Sequence, residues 1–244
     1  MRYSGICRLF LVSVLLFAVV LGCSEIASID GNADFLRRAK DPDLRDEDAL
    51  FAGLTGPIAG RRVALDKIIE KIISSTGPTQ QDLVSRLAEQ LDNDDLSDDI
   101  RGEIIFRVRD IMPALSDESA KRTLALKVAD QLNNNNPSIR VLAIDAIAWR
   151  IILHLNDEIL KLDLTLKLVT RFNDDNRVVR EKAVGDISII IYNNIYHEYL
   201  NASSLYKVSA AMEVEIQRMR SDSERDRELL EEIQRMIDYI LYYY

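Results

Sequence analysis

Cysteine is almost missing from this chain. There are two, Cys7 and Cys23, both near the start, so the body of the chain holds no internal disulfide. Histidine is as scarce. His154 and His197 stand alone, with no cysteine or carboxylate at zinc-ligand spacing, and both are expected to be helix-end residues. No serine lies in a Gly-x-Ser-x-Gly setting and no glycine-rich phosphate loop occurs, which removes the common signatures of hydrolases and nucleotide enzymes. Five prolines and nine glycines are few for 244 residues, and Leu, Ile, Ala and charged residues dominate, as in helical proteins. Positive charge is in deficit: 31 basic residues face 40 acidic ones, for a net charge of −9. Such a surface repels nucleic acid and anionic head groups. Beyond the first 25 residues no apolar stretch reaches membrane-spanning length.

What is present begins at the N-terminus. Arg2 and Arg8 give a short basic start, and Leu9 to Leu21 is almost wholly apolar, ending Val20-Leu21-Gly22-Cys23-Ser24. The run is too short for a stable bilayer anchor and has the size of a signal-peptide core. A small residue directly before a cysteine resembles the lipobox of bacterial lipoproteins, although Leu21 is larger than the residue usual before the glycine. The resemblance implies lipid attachment to Cys23, cleavage after Gly22 and membrane attachment through the lipid anchor. The rival reading is an ordinary secretory signal that contains a cysteine. Removing residues 1–22 removes Arg2 and Arg8 and no acid, leaving 222 residues with 29 basic and 40 acidic side chains, near −11. Ser24, where lipoproteins retained at the inner membrane usually carry Asp, implies the periplasmic face of the outer membrane, with the inner membrane and the cell surface as the alternatives.

Residues 23–45 are polar, lack a sustained apolar period and are expected to be a flexible tether. Residues 46–244 change character. Apolar residues recur at three- and four-residue steps, broken by clusters of Asp, Asn, Ser and Pro. The segments from Leu83, Leu124 and Leu164 each run into an Asp/Asn cluster, and their starts are 41 and 40 residues apart. Leu83, Leu87 and Leu91, then Leu124, Val128 and Leu132, then Leu164, Leu168 and Phe172 fall on one helix face. After each cluster, Ile100-Arg101, Ile139-Arg140 and Val179-Arg180 repeat at steps of 39 and 40, with apolar residues at matched offsets. Arg62 with Leu65, Ile69 and Ile73 extends the frame backwards.

Each unit therefore reads as two helices. The first of each pair is expected near 57–74, 98–113, 137–154 and 176–199, and the second near 79–91, 118–132, 157–172 and 203–219. A closing helix is expected near 222–241. A two-helix unit of this length, with a branched apolar residue and Arg near its start, resembles the HEAT repeat. Asn136-Pro137-Ser138-Ile139-Arg140 followed by Ala143, Ala146 and Ile147 is the best match. In the next unit Asp186 stands where a small residue is usual. The resemblance implies an all-α fold, an α-solenoid of about four helix pairs with a C-terminal capping helix. Arg101, Arg140 and Arg180 are expected to bond turn carbonyls and neighbouring carboxylates.

The search for chemistry ends in binding rather than catalysis. Asp92 to Glu103 has EF-hand length, but Leu96 and Ser97 stand where a ligand and glycine are required. No catalytic, cofactor or metal residues emerge. The reading is a non-enzymatic scaffold for protein partners in the cell envelope. The alternative is a solenoid receptor or lyase-like enzyme acting on a small ligand. HEAT arrays usually turn their second helices to a concave binding face, so Arg86, Lys127 and Lys167, at one offset, are expected to form a basic ladder, with Arg171 beside it. Eight of nine tyrosines lie between 192 and 244. Tyr242, Tyr243 and Tyr244 mark a second candidate surface or a homodimer seam.

Overall fold

The computed structural model describes residues 47–219 and 224–244, without the side chains of Ala59, Ile195 to His197, Glu224 and Arg225. The signal segment 1–22, Cys23 and the tether 23–45 lie outside the described residues. The chain divides after Lys67 into two compact units.

In the first unit lie α1 (Glu47–Gly53) and the opening turns of α2 (Ile58–Ser74). Leu50, Phe51, Leu54, Ala64 and Leu65 are buried there. The short α1 has no counterpart in the repeat frame. The frame also needs a correction in α2: Ile73 is 46% exposed, while Ile68 and Ile72 are fully buried. Strict four-residue steps drift off a helix face that turns every 3.6 residues.

The second unit is an all-α solenoid. Its elements after α2 are α3 (Gly77–Gln90), α4 (Asp98–Ile111), α5 (Glu118–Asp130), α6 (Pro137–Ala146), a π-helical segment (Ile147–Ile151), α7 (Ile152–His154), α8 (Glu158–Val169), α9 (Arg177–His197), α10 (Ala202–Arg218) and α11 (Glu224–Tyr243). The expected boundaries agree within about three residues. Helices α4, α6 and α9 pack in succession as one layer. Helices α3, α5, α8 and α10 form the other, and α11 closes the array against α9 and α10. Among the described residues, no helix is long and apolar enough to cross a membrane.

The core follows the repeated letters. Leu83, Leu87, Leu91, Leu124, Val128, Leu132, Leu164, Leu168 and Phe172 are all buried, as are Ile104, Val108, Ala143, Ile147, Ala183 and Ile187. Fully burying one such aliphatic side chain contributes roughly 1.5–3 kcal/mol. The Asp/Asn clusters set where helices begin. Asp117 accepts from the backbone N–H groups of Ser119 and Ala120 at 2.6 and 3.1 Å. Asp157, Asn136 and Asn176 cap α8, α6 and α9 in the same way.

Candidate partner-binding surfaces

Two kinds of polar join connect successive repeats, and both bear on what a partner meets. The first runs along the loops that lead from one pair to the next. Arg101 donates to the carbonyls of Leu91 and Asn93 at 3.1 and 2.8 Å and to Asp98 at 2.8 Å. Arg140 donates to the Asn134 carbonyl at 2.9 Å and reaches Asp174 and Asp175 of the next repeat at 2.7 and 2.6 Å. Arg180 donates to the Asp174 carbonyl at 2.9 Å and to Asp226 of α11 at 3.1 Å. All three arginines thus bond turn carbonyls, and Arg140 and Arg180 also reach carboxylates beyond their own helix pair. Shallow polar notches lie along this edge. One, of about 650 Å³, is lined by Asp92, Asp98, Arg101 and Asn133 to Asn136. Another, of about 370 Å³, is lined by Arg140, Arg171, Asp174 and Asp175.

Arg171 belongs to this edge. Its Nη1 donates to the Leu132 carbonyl at 2.9 Å, as Gln131 donates to the Leu91 carbonyl at 3.1 Å one repeat earlier. The two donors stand 40 residues apart and satisfy equivalent carbonyls. Arg171 therefore ties one loop to the next.

Arg86, Lys127 and Lys167, at one offset in the sequence, are half-buried. Lys127 is ion-paired with Asp92 of the preceding loop. That pairing raises its pKa, through the hydrogen bond to Asp92 first and against a smaller burial effect. Lys167 lies 3.5 Å from Asp163 on its own helix. Lys127 and Lys167 thus meet solvent with their charge already matched by acids.

The tyrosine end divides in two. Tyr192 and Tyr239 pack edge to face with centroids 4.9 Å apart, joining α9 to α11. The Tyr244 hydroxyl accepts from Asn194 at 3.3 Å and is half-buried. Tyr242 is 80% exposed and stacks edge to face on the exposed Tyr243 at 4.8 Å. Tyr244 therefore belongs to the end packing, and Tyr242 and Tyr243 form the exposed part of the patch.

The second join lies between α6 and α9, and sequence reasoning passed over it. Val141 and Val178 face one notch of about 540 Å³, with Pro137, Ser138, Leu142 and Asn176. Lys182 then bridges Asp145 at 2.5 Å and Asp186 at 3.1 Å. Trp149, in the π-helical segment, donates through Nε1 to Asp186 at 3.3 Å. Asp186 is 4% exposed, and its second oxygen, Oδ2, has no partner among the described residues. Burial pushes its carboxyl above the ordinary aspartate range, against Lys182 and the Trp149 bond. Burial also weakens the Lys182 ammonium, but the two carboxylates outweigh it and raise its pKa. The available signal was the charged residue at the small position between Ala183 and Ile187.

No protein-family profile matches this chain, and no match is found among curated proteins. Among solved structures it is similar to an engineered protein at 14% identity, covering 86% of this chain and 97% of that one, with a TM-score of 0.46. A designed armadillo repeat protein in complex with peptide (KR)4 is 15% identical over 79% of this chain and 99% of that one, with a TM-score of 0.40. A second designed armadillo repeat protein is 15% identical over 79% and 98%, with a TM-score of 0.35. The fold assignment rests on the packed helix layers themselves.

Proposed function

We propose that this protein is a membrane-tethered, non-enzymatic scaffold that binds other proteins of a bacterial cell envelope. The observation that carries the reading is the layered stack of helix pairs, which offers repeated helix faces to a partner. The notch lined by Pro137, Val141, Leu142 and Val178, one helix turn from Asp145, supports the reading. The anchor part of the proposal rests on Leu21-Gly22-Cys23. A lipid on Cys23 would confine the solenoid to the periplasmic face of the outer membrane and raise its effective concentration near partners there.

Two experiments test the two parts. Metabolic labelling with a fatty-acid analogue should mark the wild type and fail on Cys23→Ala. Unchanged labelling removes the anchor. Crosslinking in the native envelope followed by mass spectrometry should give the same protein neighbours in replicate. Absence of any reproducible neighbour removes the scaffold.

A further inference from the structure

We propose that the seam between α6 and α9 is the docking surface for an amphipathic helical segment of a partner protein, one with an apolar residue followed four positions later by Lys or Arg. The proposal rests on the scaffold reading and names its site and the chemistry of its partner.

The seam is built in matched ranks. On α9, Val178, Lys182 and Asp186 follow at four-residue steps, about 6 Å apart along a helix. On the facing side stand Val141, Asp145 and Trp149. The first rank is apolar. Val178 is 60% exposed and lines the notch with Val141, Pro137 and Leu142. The second rank is the Asp145–Lys182 pair, and the third is Asp186 with Trp149.

The charges of these ranks do not balance. One ammonium serves two carboxylates, so the cluster carries a net charge of about −1 when all three groups are ionised. The shortfall falls on Asp186, whose Oδ2 is buried without a donor among the described residues, and an orphaned buried acceptor is destabilising. Asp145 is half-exposed and open to a cation from outside. A partner Lys or Arg on Asp145 would release Lys182 toward Asp186 and complete the cluster. An apolar side chain one turn earlier on the same segment would fill the notch. Arg177, at the edge beside Val178, is held by Glu181 at 2.8 Å and does not oppose an incoming cation. Nucleic acid and anionic lipid are disfavoured by the same carboxylates.

Trp149 is the one tryptophan of the chain and is 36% exposed, so its emission reports on this seam alone. The test selects a displayed library of short random peptides on the immobilised full chain. The best sequence is then synthesised with a fluorescent label and measured by anisotropy. Selected peptides should share the apolar–basic spacing and shift Trp149 emission on binding. Affinity should fall about tenfold on Asp145→Asn and on Val178→Ser, and should weaken with salt. Val178 is exposed, so Val178→Ser should melt with the wild type, and Asp145→Asn should lose no more than a partly exposed ion pair contributes. Peptides that bind both variants as tightly as the wild type overturn the seam and leave the scaffold reading standing. A peptide that binds equally after its Lys is changed to Glu also overturns it. A library that enriches nothing overturns it as well.

Discussion

The loop edge and the α6–α9 seam both place a cation between carboxylates, yet they end differently. At the loop edge, Arg140 is 7% exposed and bonds two carbonyls and two carboxylates through its Nη atoms, while its Nε has no partner among the described residues. Its planar fork matches the geometry of several acceptors at once. At the seam, Lys182 offers a flexible point charge to two acids and leaves one buried oxygen unserved. The first arrangement is that of a structural joint. The second leaves a buried carboxylate oxygen beside a half-exposed acid.

The predictions bear on that contrast, and the largest sets its scale. Val128→Asp or Leu168→Asp, in the fully buried layer, should cost several kcal/mol, more than about 3, in chemical denaturation. A smaller loss would undo the repeat frame on which both joins depend. Arg140→Ala comes next. It removes the main cation from buried Asp174, which keeps the Asn176 N–H at 2.9 Å and Arg171 at 3.9 Å, and frees two turn carbonyls. It should cost about 3 kcal/mol, the low end for a broken buried pair. A cost below that of removing Lys182 would reverse the comparison.

A pH series addresses the seam. The folded state holds a proton on Asp186 more tightly than the unfolded chain does, because its carboxyl is raised by burial. The wild type should therefore gain stability relative to Asp186→Asn as pH falls from the raised value toward the ordinary aspartate range, and lose that advantage as pH rises. Melting temperatures of both proteins across the mildly acidic range measure it. A difference that is constant with pH would mean the carboxyl is not strained. The smallest effect belongs to the ladder. Lys127→Ala and Lys167→Ala remove partly exposed pairs and should each cost under about 1 kcal/mol, less at high salt.

The parts legible in the sequence were those that repeat. The 40-residue period located the helix pairs because burial dictates Leu87, Val128 and Leu168 alike. The arginines were legible because each sits just after a turn whose carbonyls need donors. The seam was not, because its partners lie 37 residues apart on separate helices and occur at one junction. The π-helical segment was hidden too: Ala143, Ile147 and Ile151 are spaced as in an ordinary helix, and a bulge changes backbone bonding without changing that pattern. The ladder was half legible. Its offset is correct, but the match of Lys127 to Asp92 depends on the fold of a loop 35 residues away.

The forward reach of the arginines gives the chain a grammar for growth. Arg140 and Arg180 each find an acid in the element that follows. Arg101 faces the neutral run Asn133 to Asn136 instead, and there the link is returned backwards, from Asn136 to Asp98 at 2.8 Å. A duplicated copy of the third repeat would bring its own arginine and receive its own acid, so tandem copying would extend the array without a new join. Deletion is not symmetric. Losing the first two repeats discards Arg101 together with its targets Leu91, Asn93 and Asp98, whereas losing α11 leaves Arg180 without Asp226. Lineages that shorten such a protein should keep the closing helix and erode the other end.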